Sequence, residues 1–463
     1  MFLLTPGRTY SYSATCPGYI GVQGSYTVPD KGGALTIALE TAVSSSLPQL
    51  PSEWPHLRLD NNNNAVADAR IPTESNNAVL YWATQLGDGY DSGACSPPIL
   101  VDGYLYVYSD STLYKLDTMT GQVVASAPMA GASSFAINPP TYANGMIFVG
   151  LSNGRVQAFN ASTLESLWLY TDPLGGQPNC SLVYQNGYVY TGFWVGETSE
   201  ANFVCLTATD EDPSQPKEAK LASWTYSNAG GYYWSGAFVC DDFLLLGTDD
   251  GGPGARSSAR LLSLEPKTGR VLDERVLSSS GDVRSSITYY NGNYYFTSKG
   301  GMFYKASVNS SGDIVGLNSL NLGGMSTSTP VIYNNRAYVG VCGSGQFKAY
   351  SGHRISVIDL NYWEIAYSVQ TQGYPQTSGI VTNAYEGESG SVYVYFFDNF
   401  TPGKLRVLKD MPGQTSTSQT TTEAAMTVAY NVFEPIGDQA QFAICSPIAD
   451  KNGTLYFKKI PVI

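Results

Sequence analysis

Residues 96–108, SPPILVDGYLYVY, carry the pattern that decides the fold. A small polar residue opens a short apolar strand, the pair Asp102-Gly103 reverses the chain, and a second strand rich in Tyr and Val returns. Apolar runs on either side of an Asp-Gly pair predict a β-hairpin. The same unit opens again at Asn138, Cys180, Ser235, Ser285, Thr329, Ser378 and Ser446.

The spacing of these units indicates how the hairpins are assembled. Successive openings lie 42 to 68 residues apart (96 to 138 and 378 to 446). A unit of that length repeated around a ring is typical of a β-propeller, whose core is shared between neighbouring blades. We therefore predict an all-β, eight-bladed β-propeller. Seven blades is the alternative if the short last unit merges with a neighbour.

A propeller also needs a way to close its ring. The last unit supplies residues 446–457 and is short by about one strand. Residues 79–85, VLYWATQ, form an apolar strand ahead of the first full unit. Pairing this strand with the C-terminal blade would remove two open sheet edges. We expect the ring to close in this way.

The first part of the chain does not match the repeat. We divide the chain into a small β segment, residues 1–45, and a propeller, residues 46–463. Strands are expected at residues 8–15, 24–28 and 34–39. Residues 9–28, TYSYSATCPGYIGVQGSYTV, resemble the second half of the immunoglobulin-like modules of bacterial surface proteins. That resemblance implies an extracellular or cell-surface protein of which this chain is one part.

Charge and cysteine content exclude several classes of function. A net charge of −13 argues against nucleic-acid binding, which needs clustered Lys and Arg, and against docking on anionic lipid. No run approaches the roughly 20 apolar residues of a membrane-spanning helix, so we expect no membrane insertion. The seven cysteines show no CxxC spacing, and we interpret them as small buried hydrophobic residues rather than disulfides or zinc ligands.

A second pattern follows the hairpins and resembles a known family. A third strand ends at Leu116-Asp117, a turn contains Thr120-Gly121, and Thr268-Gly269 repeats that turn. Asn160, Leu164 and Trp363 depart from the pattern. Over about residues 53–457 the chain resembles the pyrroloquinoline-quinone-type propeller repeat. That repeat occurs in quinoprotein dehydrogenases and in the non-catalytic lipoprotein of the outer-membrane β-barrel assembly machinery.

The two branches of this family imply different functions. The dehydrogenase branch implies a quinone stacked on a Trp at the axis, a calcium held by Glu, Asn and Asp, a general-base Asp, and usually a disulfide between adjacent cysteines. This chain has no adjacent cysteines, and we assemble no calcium set from neighbouring units. The acidic loops at residues 210–212 and 249–252 lack the alternate spacing of a calcium loop and are expected to be solvated turns. We therefore predict no catalytic residue, no metal and no cofactor.

One ring of positions remains as a candidate site. The residues that precede each hairpin opening should surround the channel mouth: Cys95, Ile137, Asn179, Trp234, Arg284, Ser328, Thr377 and Cys445. Of these we select Trp234, Arg284, Asn179 and Thr377 as candidate ligand-binding residues. Trp234 stacks on a planar ligand or fills the mouth against Tyr232 and Tyr233. Arg284 binds a carboxylate in a bidentate fork or pairs with Asp282.

The sequence thus predicts a binding module. We expect a non-enzymatic extracellular binding or scaffolding propeller of a bacterial cell-surface protein. It would be monomeric and would present a loop face or the channel mouth to a protein or glycan. A quinone- and calcium-dependent dehydrogenase is the alternative.

Overall fold

A computed structural model of the chain describes residues 4–42, 47–87, 96–132, 138–254, 257–343, 352–397, 399–411 and 431–459. These residues form seven sheets arranged as propeller blades, with a hairpin ahead of the ring and another near the end of the chain. The described helical segments are α1 (Glu386–Ser389) and two 3-10 turns, Ser75–Asn77 and Gly437–Gln439. Within the described ranges no helix is long and apolar enough to cross a membrane.

The strands are short and follow the chain order. Ahead of the first blade lie β1 (Thr9–Ala14), β2 (Val22–Thr27), β3 (Ser52–Trp54) and β4 (Val66–Ala67). Blade 1 contains β5 (Ile99–Val101), β6 (Tyr104–Ser109), β7 (Thr112–Asp117) and β8 (Val123–Pro128). Blade 2 contains β9 (Thr141–Ala143), β10 (Met146–Leu151), β11 (Arg155–Asn160) and β12 (Ser166–Thr171). Blade 3 contains β13 (Val183–Gln185), β14 (Tyr188–Gly192), β15 (Glu200–Thr207) and β17 (Ala222–Ala229), while β16 (Glu218–Lys220) adds to the outer edge of blade 2.

The second half of the ring repeats this plan. Blade 4 contains β18 (Phe238–Val239), β19 (Leu244–Gly247), β20 (Arg260–Leu264) and β21 (Val271–Val276). Blade 5 contains β22 (Thr288–Tyr290), β23 (Asn293–Thr297), β24 (Met302–Val308) and β25 (Ile314–Asn321). Blade 6 contains β26 (Val331–Tyr333), β27 (Arg336–Val341), β28 (Arg354–Asp359) and β29 (Glu364–Gln370). Blade 7 contains β30 (Ile380–Thr382), β31 (Val392–Phe397), β32 (Leu405–Asp410) and β33 (Asn431–Phe433), and a last hairpin follows with β34 (Ile448–Ala449) and β35 (Leu455–Tyr456).

The turns that join the first two strands of the blades explain why the hairpins form. Both central residues have positive φ in five of them: Asp102-Gly103, Asn144-Gly145, Asn186-Gly187, Asn291-Gly292 and Asn334-Asn335. Two residues of positive φ give the turn type whose twist matches that of the flanking strands, and Asn, Asp and Gly tolerate that conformation best. The predicted hairpins are confirmed at these positions.

The hydrophobic core lies between blades rather than at one centre. Seven clusters of buried side chains each join two neighbouring blades around the ring. Between blades 1 and 2, for example, Tyr106 and Ile99 pack with Phe159 and Ile147, all fully buried. Each blade is therefore stabilised by its neighbours, as in other repeat folds.

A Trp from one side docks on the glycine turn of a blade at two places. A Cβ at Gly121 would lie 2.3 Å from Trp82, and one at Gly269 would lie 2.6 Å from Trp224. Both glycines have φ of +69°. Glycine is needed at these turns for the backbone conformation and for the close approach of the indole.

The prediction of eight blades is not supported, and the described structure has seven. The unit that opens at Ser446 forms only the two-stranded sheet of β34 and β35, to which no further described strand is paired. This hairpin lies inside the cluster shared by blades 7 and 1, where Ile448 and Tyr456 pack with Leu105 and Val407. The stated alternative of seven blades therefore describes the fold.

Ring closure also differs from the prediction. Residues 79–85 form no strand; they contact blade 1 through side chains, with Trp82 Nε1 donating to the Thr118 carbonyl at 2.9 Å. Pairing instead occurs at the inner edges, where β3 adds antiparallel to β5 of blade 1 and β4 adds parallel to β30 of blade 7. One continuous segment thereby joins the first and last blades.

The N-terminal segment is smaller than expected. β1 and β2 pair in the predicted region, but residues 34–39 form no strand. The hairpin lies against blade 3, where Thr15 Oγ1 donates to Ser223 Oγ at 2.6 Å and the Gly18 N–H donates to Thr209 Oγ1 at 2.8 Å. The turn between β1 and β2 is thus held to the propeller by hydrogen bonds. The division at residue 45 and the immunoglobulin-like relationship stay predictions.

Candidate functional site at the propeller axis

The segment that precedes blade 1 crosses the centre of the ring. We call residues 51–67 the axial plug. Its backbone and side chains hydrogen-bond to the inner region of every blade in turn, through the pairs Pro51–Asp102, Pro55–Tyr142, Asn61–Tyr184, Asn63–Ala237, Asn63–Ile287, Asn64–Ile332 and Ala65–Val381. Inner strands expose unpaired backbone groups toward the axis, and the plug satisfies them.

The asparagine run carries most of these contacts. Asn63 is fully buried, and its Nδ2 donates to the carbonyls of Ala237 at 3.1 Å and Ile287 at 2.9 Å. Asn64 pairs with the backbone of Ile332 in both directions, at 2.9 and 2.8 Å. The asparagine run is therefore a structural element of the ring.

Three of the four selected mouth residues line one cavity above the plug. Trp234, Arg284 and Thr377 bound it together with Leu57 and Arg58 of the plug. Because its other walls come from blades 5, 6 and 7 and from the positions that open the units of blade 2 and the last hairpin, the cavity lies at the axis. Its remaining lining residues are Asn138, Ser286, Thr327, Thr329, Gln376, Ser378 and Ser446.

Asn179 lies beside this cavity rather than on it. It is fully buried, its Nδ2 donates to Gln177 Oε1 at 2.9 Å, and its carbonyl accepts the N–H of Trp234 at 3.1 Å. Of the other ring positions, Ser328 and Cys445 are buried, while Cys95 and Ile137 lie outside the described residues. The alignment of blades thus brings Trp234, Arg284 and Thr377 together and places Asn179 behind Trp234.

Trp234 packs among aromatic rings at the axis. Only 4% of its surface is exposed, and its ring centroid lies 4.6 Å from that of Tyr233. Its φ of +61° is rare for a residue with a large side chain. A buried indole of this kind fills the mouth, and no open face is offered to a planar ligand.

Arg284 lies within a cluster of three carboxylates. Its Nη2 atom is 2.6 Å from Asp249, 2.9 Å from Glu197 and 3.0 Å from Asp282. Lys299 Nζ contacts Asp282 from the other side at 2.9 Å. The predicted pairing of Arg284 with Asp282 is present, and two further acids from blades 3 and 4 join it.

Burial sets the electrostatics of this cluster. Desolvation raises the pKa of Asp249 well above its usual range, and the adjacent Arg284 opposes that shift. The expectation that residues 249–252 form a solvated turn is therefore wrong for Asp249, which is 2% exposed. Asp210 of the other acidic loop is also buried, and desolvation raises its pKa although Lys220 lies near.

The three carboxylates are close enough to serve as cation ligands. One oxygen each from Glu197, Asp249 and Asp282 lies within 4.8 Å of the others. The guanidinium of Arg284, however, already lies within hydrogen-bond distance of all three. The position that a cation would take among these carboxylates is held by a guanidinium, so this arrangement does not fit the calcium site implied by the dehydrogenase branch.

The axial cavity is small. Its volume is about 20 Å³, whereas one water needs about 10–15 Å³ of such space and ligand pockets measure roughly 300–1,000 Å³. A tricyclic quinone does not fit between the plug and Trp234.

A larger cavity lies at the ring's seam, by which we mean the region between blade 7 and blade 1. It measures about 580 Å³ and is lined by residues 77–87, by β35 and by parts of both blades. Val79 and Tyr81 on its border are 73% and 74% exposed, and the nearby Ile436 is 79% exposed. Apolar side chains of this size seldom cluster on the surface of a monomer without a binding role.

Most of the described cysteines are buried, as interpreted from the sequence. Four of the six described are buried, namely Cys180, Cys205, Cys342 and Cys445, while Cys16 and Cys240 are part-buried. Desolvation raises the pKa of Cys180 and of Cys445 to about 12, so both stay protonated at neutral pH.

Sequence reasoning missed two parts of this site. Arg58 and Leu57 of the plug line the cavity, and Glu197 and Asp249 complete the cluster around Arg284. The run of four asparagines at residues 61–64 was the available signal for the plug, because amides supply donors and acceptors to backbone groups. No comparable signal marks Glu197, whose distance from Arg284 depends on how blades 3, 4 and 5 pack together.

The chain matches one family model over part of its length. The family described as "Outer membrane protein assembly factor BamB" matches residues 74–202, which are 129 of 463 residues (202 − 74 + 1). This supports the resemblance to the pyrroloquinoline-quinone-type repeat. No curated protein matches the chain.

Solved structures share the fold at low sequence identity. Quinohemoprotein alcohol dehydrogenase from Comamonas testosteroni has a TM-score of 0.61 and 12% identity, over 85% of this chain and 74% of that one. A europium-containing methanol dehydrogenase has a TM-score of 0.57 and 11% identity, over 86% and 87%. BamB from Moraxella catarrhalis has a TM-score of 0.51 and 12% identity, over 81% and 94%. Since both enzymes and BamB appear, the fold by itself does not decide whether the chain is catalytic.

Proposed function

We propose that this chain is a non-enzymatic propeller that binds or scaffolds a protein partner. The observation that carries the proposal is the closed axis. The plug and Trp234 leave about 20 Å³ at the place where the dehydrogenase branch would hold its quinone. A cofactor-dependent oxidation has no site there.

The charges at the axis support the same proposal. General acid–base chemistry needs a titratable group within reach of a substrate. Asp249 and Asp282 are buried and engaged by Arg284 and Lys299. These groups stabilise the ring and do not face a substrate pocket.

The seam is the surface that we assign to the partner. It combines a cavity of about 580 Å³ with the exposed side chains Val79, Tyr81 and Ile436. β35 pairs with β34 on one side only among the described strands. An apolar groove beside a free strand edge suits an extended protein segment, whose backbone adds to the edge while its side chains enter the groove. A glycan would instead favour exposed aromatic rings at the axis, where Trp234 is buried.

A ligand titration tests the absence of quinone chemistry. Thermal unfolding of the purified chain is followed with pyrroloquinoline quinone plus calcium, and with calcium alone. We expect no saturable rise in Tm with the quinone, because its site is closed. A saturable rise that Trp234→Ala removes would contradict the proposal and favour a quinone- and calcium-dependent dehydrogenase.

Site-specific photo-crosslinking tests the assignment of the seam. A photoreactive amino acid is placed at residue 81 and, as a matched control, at residue 362. Tyr81 and Tyr362 are 74% and 75% exposed, but Tyr362 lies on the turn between β28 and β29. We expect one discrete protein adduct from residue 81 in the source cells and none from residue 362. Equal adducts from both positions, or a glycan adduct, would contradict the proposal.

The cellular location belongs to the proposal as well. We propose an extracellular or cell-surface position within a larger secreted protein, on the strength of the resemblance of residues 9–28 to surface modules. Protease treatment of intact cells should then remove the chain. Full protection in intact cells, with digestion only after lysis, would exclude this location.

A further inference from the structure

A buried arginine of the plug has no counter-ion among the described residues. Arg58 is 2% exposed, and its Nη1 donates to the Gly379 carbonyl at 2.6 Å. Its Nε and Nη2 atoms are buried and have no acceptor among the described residues. A guanidinium carries donors only, so these N–H groups require an acceptor.

Two more residues that border the same cavity carry a buried polar atom without a partner among the described residues. Trp234 Nε1, which is also a donor only, and Thr377 Oγ1 are buried and make no hydrogen bond to described residues. Arg58, Trp234 and Thr377 all line the axial cavity. Two donor-only side chains bordering a space of about 20 Å³ indicate an occupant that accepts several hydrogen bonds and is close to one water in size.

The charges near the cavity favour an anion over water. The two buried acids of the axis, Asp249 and Asp282, already contact Arg284 and Lys299. Arg58 forms no ion pair with a described residue, and its burial lowers its pKa to about 9. A buried charge without a partner is costly to a folded protein. A water molecule satisfies donors but leaves this charge uncompensated.

We propose that the axial cavity is a binding site for a single small monovalent anion of the size of chloride. The anion accepts hydrogen bonds from Arg58 and Trp234, and the hydroxyl of Thr377 completes its contacts. Arg58 belongs to the plug, Trp234 precedes blade 4 and Thr377 precedes blade 7. The bound anion therefore ties the plug to opposite parts of the ring and stabilises the folded state.

Halide-dependent unfolding tests this site. Tm is measured in sodium chloride and in sodium gluconate at equal ionic strength, so that general screening is the same. We expect a rise of several degrees in chloride that saturates, as for a ligand that binds only the folded chain. Crystals grown with bromide should show an anomalous peak within hydrogen-bond distance of Arg58 and Trp234 Nε1.

Variants assign the effect to these residues. Arg58→Gln should abolish the difference between chloride and gluconate. If Arg58→Gln does not fold, Trp234→Phe serves instead, because it keeps an aromatic side chain and removes one hydrogen-bond donor. It should raise several-fold the chloride concentration that gives half of the maximal rise in Tm. Arg354→Gln is the control. Arg354 also donates to backbone carbonyls, those of Gly352 and Leu322, but it lies on β28 of blade 6 and does not line the axial cavity. Identical unfolding in the two salts together with no bromide peak would overturn the proposal and leave a bridging water.

Discussion

Arg284 has the position that a metal ion would need in order to join three acids of this propeller. Its contacts with Glu197, Asp249 and Asp282 make it the central cation of a largely buried cluster. The sequence indicated Asp282, because it stands two residues away. Glu197 and Asp249 are 87 and 35 residues distant, and only the packing of blades 3, 4 and 5 brings them near.

Removing this guanidinium should show how much the cluster contributes to the free energy of unfolding. Arg284→Leu is expected to lower the free energy of unfolding by about 3–5 kcal/mol, because it leaves the buried carboxylate of Asp249 without its ion-pair partner. Arg270→Leu, which breaks the exposed pair with Glu265, should change it by less than about 1 kcal/mol. Urea unfolding at neutral pH measures both.

The dependence of the stability of Arg284→Leu on pH and on calcium should show whether the variant is destabilised by a lost ion pair or by lost packing. Burial raises the pKa of Asp249 in the folded state, so protonation favours the folded form as pH falls. The loss in Arg284→Leu should therefore shrink at lower pH. Calcium should raise the Tm of Arg284→Leu but not that of the unaltered chain. A loss independent of pH and calcium would mean that lost packing causes it.

Among elements, the plug departs most from what the sequence suggests. A run of asparagines is typical of a turn, and although its amides can bond backbone groups, the sequence does not say which groups they bond. The plug bonds backbone carbonyls up to 321 residues away, such as that of Gly379, and backbone groups leave no trace in the side-chain pattern. The hairpins were predictable because their turns are encoded by adjacent residues such as Asn144-Gly145.

Asn63 should be the most sensitive residue of the run. Asn63→Ala leaves the buried carbonyls of Ala237 and Ile287 without their donor, and we expect a loss of about 1–3 kcal/mol in unfolding free energy. Asn63→Gly keeps the positive φ of this position, +52°, and separates the backbone effect from the side-chain effect. Asn62→Ala is the control, because Asn62 is exposed and its side chain bonds only Asp60. Equal losses at residues 62 and 63 would contradict the assigned role.

For the whole molecule, the repeat predicted a propeller but overcounted its blades. Counting openings gave eight, since Ser446 begins a unit as Ser96 does. Blade number depends on whether further strands pair beside an opening, and β34 and β35 gain none among the described strands. Residues 79–85 have strand-like composition, yet Trp82 contacts the seam by its side chain alone. Which strands pair depends on the tertiary structure, and the pattern of apolar and polar residues along one strand does not reveal it.

Trp82 should therefore act as a link across the seam. It donates to Thr118 of blade 1, and its ring centroid lies 6.1 Å from that of Tyr456. Trp82→Ala is expected to lower unfolding free energy by about 2 kcal/mol, less than a fully buried Trp, and to speed proteolysis near the seam. Trp363→Ala removes a similar Trp that donates to Ser319 and should leave seam proteolysis unchanged. Equal cleavage patterns in the two variants would show that Trp82 has no special role in closure.

The route of the plug has a consequence for synthesis. A ribosome makes residues 51–67 before any blade, yet Arg58 bonds Gly379, 321 residues later, and Val66 pairs with Val381. The ring therefore assembles around a segment that is made before every blade. Contacts of such sequence separation slow folding, and the half-made ring exposes apolar blade faces that call for chaperone protection until blade 7 emerges.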